Sequence, residues 1–205
     1  FQAEDGIRDH LLGLVGSEMC IRDRKHAGLA TRPVSPYAAS KLATEAYTLA
    51  YGHSYDLPTL AFRFFNVFGP LQAAGHAYAA VIPAFADAAL RGAPLPLDGD
   101  GTQSRDFTYV DTVCAVIADA VSRTVTHDLP VNLAYGTRTD LNTVIGLLGE
   151  LVDDEIRVER RPTRTGDVPH SQADDTEVRT LFPDIEPVPL EIGLKATVDW
   201  MRTVV

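Results

Sequence analysis

Thr59-Leu60-Ala61-Phe62-Arg63-Phe64, continuing into Phe65-Asn66-Val67-Phe68-Gly69-Pro70, is a short and mostly apolar run that closes on a Gly-Pro turn. Continuous apolarity over so few residues reads as a strand at 59–64 buried on both faces, the habit of parallel sheets. Parallel strands need helical crossovers between them, so the flanking sequence should supply helices. Upstream it does. Residues 37–55 read as a helix with Leu42, Ala46, Leu49 and Ala50 as its apolar stripe. Ser35 can cap that helix, Pro36 suits its first position, and Asp56-Leu57-Pro58 ends it.

Downstream the alternation continues. Residues 66–75 read as a loop and 79–91 as a helix. Leu95 and Leu97 lead into the turn Asp98-Gly99-Asp100-Gly101, and 105–109 is extended. Asp111 is expected to cap a helix to about residue 123, and Asp140 one over 141–152. Strands are expected at 130–135 and 156–160, a polar loop at 164–174, and helices at 174–182 and 189–203. Strands alternating with helices give an α/β protein with parallel pairing.

The 205 residues carry 45% hydrophobic and 22% charged content, enough for a sizeable core. A net charge of -10 without a dense basic run argues against nucleic acid as a partner. No apolar run is long enough to span a bilayer, so no membrane partner is expected. Cys20 and Cys114 are too few for a disulfide framework or a zinc site and suggest a reducing, cytoplasmic setting. Residues 1–24 show neither alternation nor helical periodicity and resemble a translated sequencing adapter, so they are read as a non-native leader.

Candidate chemistry begins at Ser35-Pro36-Tyr37-Ala38-Ala39-Ser40-Lys41. Tyr37 and Lys41 are four apart on one helix face. An ammonium beside a phenol favours phenolate, which makes a proton-transfer pair. The alternative is a half-buried tyrosine and a solvated lysine. No Gly-rich phosphate loop follows a first strand, and no Gly-x-Ser-x-Gly is present. His26, His53, His76, His127 and His170 read as isolated surface residues, with no metal spacing among them. Asn66 follows a strand end and could bond a ligand or simply make the turn. Arg105 could grip a phosphate or pair with Asp106 or Asp111, and Arg164 and Asp167 could clamp a ligand or form a loop ion pair.

Four stretches taken together carry a resemblance: residues 35–41, Arg63-Phe64-Phe65-Asn66-Val67-Phe68-Gly69-Pro70, the 98–107 stretch ending Arg105-Asp106-Phe107, and the 164–174 stretch beginning Arg164-Thr165-Gly166-Asp167. Over residues 31–205 the chain resembles the extended short-chain dehydrogenase/reductases, the NAD-dependent sugar-nucleotide epimerases and dehydratases. The resemblance implies the C-terminal part of a Rossmann-type parallel sheet plus a smaller α/β substrate-binding domain. Residues 25–76 and 106–135 would belong to the first, and 77–105 and 136–205 mainly to the second.

It also implies roles. Tyr37 and Lys41 would be catalytic, and with Phe64 would meet NAD. Phe65, Asn66, Ala80, Val81, Leu97, Arg105, Arg164, Asp167 and Ser171 would line the site for a UDP-sugar. Small residues at Ala80 and Ser171 look most like the branch acting on UDP-N-acetylglucosamine, with UDP-glucose as the alternative. The implied reaction is inversion at C4 through a 4-keto sugar. A 4,6-dehydratase, a decarboxylase or a non-catalytic UDP-sugar-binding module are the rival readings. The family usually forms homodimers. The sequence departs from the family in lacking the Gly-rich turn, so the 205-residue chain alone is expected to hold NAD poorly and to be inactive.

Overall fold

The computed structural model describes residues 36–73, 80–163 and 169–205, apart from the Tyr37 side chain. The 1–24 leader, Ser35, His76, Arg164 and Asp167 lie outside the described residues. In chain order the elements are α1 (Pro36–Tyr55), β1 (Phe62–Phe64), β2 (Asn66–Phe68), α2 (Val81–Leu90), β3 (Leu95–Asp98), β4 (Ser104–Arg105) and β5 (Phe107–Tyr109). There follow α3 (Val110–Arg123), β6 (Val131–Leu133), β7 (Thr139–Asp140), α4 (Leu141–Val152), β8 (Val158–Arg161), α5 (Thr176–Leu181) and α6 (Leu190–Met201).

The expected parallel pairing is present, in short ladders. β1 runs parallel to β6, β2 to β5 and β3 to β8, while β4 and β7 pair antiparallel. The apolar run 59–64 is strand only from Phe62, and the expected loop at 66 instead opens with β2. The reason is a change of partner. Phe64 sits opposite Leu133, whereas Asn66 sits opposite Phe107 and its N–H donates to the Asp106 carbonyl at 3.2 Å.

Local chemistry explains the helix boundaries. Asp140 caps α4 as expected, accepting the Thr143 N–H at 2.8 Å. Asp111 does not cap α3; that helix starts at Val110, and Asp111 lies in the first turn, where its charge meets the positive helix end. Pro83 lies in the first turn of α2, where its missing N–H leaves no intrahelical bond unmade.

Two apolar clusters hold these elements. The larger joins Phe68, Phe85, Leu95, Leu97, Phe107, Leu148 and Leu194 across β2, β3, β5, α2, α4 and α6. The second gathers Val116, Val131, Leu133, Val178 and Phe182 around β6, α3 and α5. Each fully buried leucine or phenylalanine is worth about 1.5–3 kcal/mol. The stripe expected on α1 is different. Ala46 and Ala50 are exposed, Leu42 and Leu49 are half-buried, and Tyr47, Tyr51 and Tyr55 stand out at 68%, 53% and 68% exposure. Among the described residues no helix is long and apolar enough to cross a membrane.

Helix α6 approaches the sheet through Gly193. A Cβ there would stand 2.7 Å from Tyr109 and 2.9 Å from Phe68. Overpacking against two rings outweighs the gain in helix propensity, so Gly193→Ala is expected to cost about 1–2 kcal/mol net. For a chain of this size that lowers the melting temperature by about 2–6 °C. Gly146→Ala, at an exposed position of α4 where nothing lies within 4 Å, should move it the other way. A thermal melt of both variants gives the comparison.

Candidate functional site

The break between β1 and β2 organises the site. β1 ends beside β6, and one residue later β2 begins beside β5. In open α/β sheets ligands bind outside the carboxyl ends of the parallel strands, and β1 ends here. Phe64 is 50% exposed there, and Phe65 and Asn66 are half-buried.

Asp106 stitches the surrounding segments together. Its backbone carbonyl accepts the Asn66 N–H at 3.2 Å and the Asn66 Nδ2–H at 3.4 Å. Its carboxyl is fully buried and accepts the Ala173 N–H at 3.0 Å and the Thr137 hydroxyl at 2.8 Å. Burial pushes this carboxyl above the usual aspartate range, against the opposing pull of the Ala173, Thr137 and Gly136 hydrogen bonds. Gly136 turns the chain at φ +69°, and its bare Cα leaves room for the Asp175 carboxyl, 3.1 Å from where a Cβ would stand. The pairing of Asp106 with Arg105 weighed from sequence is not what this carboxyl does.

A cationic rim adjoins Asp106. Arg105 Nη1 donates to the carbonyls of Ser104 at 2.9 Å and Pro169 at 3.5 Å. The Ser171 N–H donates to the same Ser104 carbonyl at 3.0 Å. Arg138 Nε donates to Ser104 Oγ at 3.2 Å, and that oxygen lies 2.9 Å from His170 Nδ1. His170 is exposed, as read from the sequence, but it is held by Ser104 and so is not isolated. The strand bridge between Ser104 and His170 brings it in.

The remaining candidates are spread around this frame. Ala80 is exposed at the N-cap of α2, and Val81 is the half-buried first residue of that helix. Leu97 is completely buried in the larger cluster, so its side chain serves the core. Ser171 is 7% exposed. On the other side of the break, Lys41 is exposed on α1. One turn further along, Glu45 takes a two-pronged ion pair from Arg63 on β1, each contact 2.7 Å long. The structure thus joins Asn66, Arg105 and Ser171 through Ser104 and Asp106, and ties the Lys41 helix to the strand leading into Phe64.

Sequence reasoning quoted Arg63 and Asp106 within the resembling stretches but gave neither a place in the site, and it did not single out Glu45 or Arg138; Glu45 carried a signal in its four-residue spacing from Lys41. Among the described residues no group of three or more metal-ligating side chains forms.

Comparison with known proteins bears on the family and the fold. The NAD dependent epimerase/dehydratase family model matches residues 14–134. A UDP-glucuronate 4-epimerase of Thermodesulfobacterium geofontis is 30% identical over 171 residues, 83% of this chain and 51% of the relative. A UDP-glucose 4-epimerase of Mycolicibacterium smegmatis is 32% identical over 170 residues, 83% of this chain and 54% of the relative. The UDP-N-acetylglucosamine 4-epimerase of Methanobrevibacter ruminantium, solved with UDP-N-acetylmuramic acid, superposes with a TM-score of 0.83 at 32% identity, covering 94% of this chain and 61% of that one. The chain spans about half the length of the curated relatives it matches.

Proposed function

The chain belongs to the NAD dependent epimerase/dehydratase family, and on that premise we propose that it serves C4 epimerisation of a UDP-hexose, UDP-N-acetylglucosamine or UDP-glucose. The observation that carries the proposal is the strand switch. Helix α1, which holds Lys41, is tied to β1, and Asn66 and Arg105 stand on the far side of the same break. On this reading residues 25–76 and 106–135 serve the cofactor, and 77–105 and 136–205 serve mainly the UDP-sugar.

The residues at the break fit the nicotinamide end of NAD. Half-exposed Phe64 closes a parallel strand, and Lys41 lies on the helix tied to that strand. NAD, when bound, would supply a reversible hydride acceptor at C4. The chain's own groups do the rest. Tyr37, as phenolate, takes the proton of the C4 hydroxyl and later gives it back. Lys41 stabilises the phenolate and hydrogen-bonds the nicotinamide ribose. Asn66, Arg105 and Arg164 hold the diphosphate, and Asp167 the uridine ribose, which anchors the 4-keto sugar while it turns. Ala80 and Ser171 leave room at the sugar.

The three relatives named above share C4 epimerisation by name and differ in the sugar. The test is product analysis with NAD and UDP-N-acetylglucosamine, UDP-glucose, UDP-glucuronate or a dTDP-sugar. It is run on the protein read through from the upstream reading frame, with the 205-residue chain, expected to be inactive alone, as the comparison. A C4 epimer is the expected product of the longer protein. A 4-keto-6-deoxy sugar, or loss of carbon dioxide from the uronate, would replace this reading with a dehydratase or decarboxylase. UDP-sugar binding without any turnover would replace it with a binding module.

A further inference from the structure

Positions 37, 41 and 45 follow one another at four-residue intervals along α1, so they form one row on its surface. The third member of the row is an acid. In an isolated helix, Glu45 would be the natural counter-ion of the Lys41 ammonium one turn away. Here both of its oxygens are taken. Arg63 Nε donates to Oε2 and Nη2 to Oε1, each at 2.7 Å. The two side chains are only 19% and 14% exposed, and a two-pronged guanidinium–carboxylate pair so shielded has a fixed geometry.

Among the described residues of α1, β1 and β6, the charged side chains are Lys41, Glu45 and Arg63, with His53 at the far end of α1 and titratable Tyr47, Tyr51 and Tyr55 along it. A carboxylate released one turn from Lys41 would add a negative charge to the field along the row. It would draw the ammonium toward position 45 and oppose phenolate at position 37.

We infer that Arg63 is a positioning residue: by closing both oxygens of Glu45, it keeps that carboxylate from Lys41 and reserves the ammonium for Tyr37. The inference rests on the reading of Tyr37 and Lys41 as a proton-transfer pair. It assigns to β1 a part in the chemistry besides supplying the strand end. Arg63 acts through Glu45, and its guanidinium is suited to the task because a lysine would hold one oxygen and leave the other free.

The test needs neither cofactor nor turnover. The 205-residue chain is labelled with carbon-13 at tyrosine Cζ, the Tyr37 signal is assigned from its loss in Tyr37→Phe, and its titration is followed by NMR. Lys41→Met should raise the Tyr37 midpoint. Arg63→Gln should raise it by about one pH unit. Glu45→Gln, which leaves the guanidinium without its acid, should lower it, and the Glu45→Gln/Arg63→Gln double variant should bring it back near the wild-type value. Arg63→Lys should fall between wild type and Arg63→Gln.

Opposite signs from the two single variants cannot come from a damaged fold. If Arg63→Gln unfolds the chain, the Glu45→Gln and Arg63→Lys midpoints decide. An unchanged midpoint in Arg63→Gln, or a double variant as perturbed as that single, overturns the inference while leaving the Tyr37–Lys41 pair intact. An unchanged midpoint in Lys41→Met overturns both.

Discussion

In the longer protein read through from the upstream frame, Tyr37→Phe is expected to reduce epimerisation by about 10²–10⁴-fold, the range that a positioned acid–base group contributes. Affinity for the UDP-sugar should stay within about twofold, because the diphosphate is assigned to groups beyond the strand break. Asn66 is fixed by the Asp106 carbonyl, and Arg105 by the carbonyls of Ser104 and Pro169. A fall in turnover without a fall in binding marks a group used in the transition state and not for substrate capture. Single-turnover kinetics together with calorimetric titration of UDP-sugar separate the two quantities. The wild-type rate should also rise with pH through the Tyr37 titration, and that limb should vanish in the phenylalanine variant. Turnover within tenfold of wild type would remove Tyr37 from its role.

How far the sequence discloses this arrangement depends on the range of the interactions involved. Helix α1 is legible because its signals are local: a proline at the start, a four-residue rhythm and Asp56-Leu57-Pro58 at the end. β1 is legible as a buried parallel strand because its composition answers to burial on both faces. The break at Phe65 is not legible, since Phe64-Phe65-Asn66 looks the same whether one strand continues or two ladders meet. What decides it is that Leu133 and Phe107 arrive as neighbours from distant parts of the chain.

Asp106 was unreadable for the same reason. Beside Arg105 it has the look of a surface ion pair, and its burial depends on Thr137 and Ala173, which are 31 and 67 residues away. The stripe of α1 shows the converse. Helical rhythm names an apolar face, but only packing says whether that face is covered, and Ala46 and Ala50 of the expected stripe are exposed while Leu42 and Leu49 are half-buried. The resemblance to the epimerases supplied the candidate residues. The fold added what links them, the Glu45–Arg63 clamp on one side of the break and the Asp106 knot on the other.

Asp106→Asn should separate that knot's contribution from the rest of the fold. Asparagine keeps the shape but offers one acceptor oxygen where the carboxyl offers two. The Ala173 N–H meets Oδ2 and the Thr137 hydroxyl meets Oδ1, with the Thr137 and Gly136 N–H groups also directed at the carboxyl. One amide edge would therefore face donors, leaving a buried N–H unsatisfied at a cost of about 1–3 kcal/mol. The pH dependence has a definite sign. Because burial raises the native carboxyl above its ordinary value of 3.8, the folded chain keeps this proton to higher pH than the unfolded chain does. Between the ordinary and the raised value the native state binds more protons, so this group's contribution to stability falls as pH rises. Below the ordinary value both states are protonated and the contribution is constant. The wild-type advantage over Asp106→Asn should thus be widest in acid and narrow toward neutrality, as read from urea unfolding midpoints across pH 4 to 8. A gap that widens with pH would mean that the four hydrogen bonds outweigh burial and that the buried group is a favoured carboxylate. The same variant reaches the site through Asn66, whose amide and backbone N–H both lean on the Asp106 carbonyl. Affinity for UDP should drop about tenfold, the equivalent of about 1.4 kcal/mol, while the Tyr37 titration, governed from the other side of the break, stays where it was.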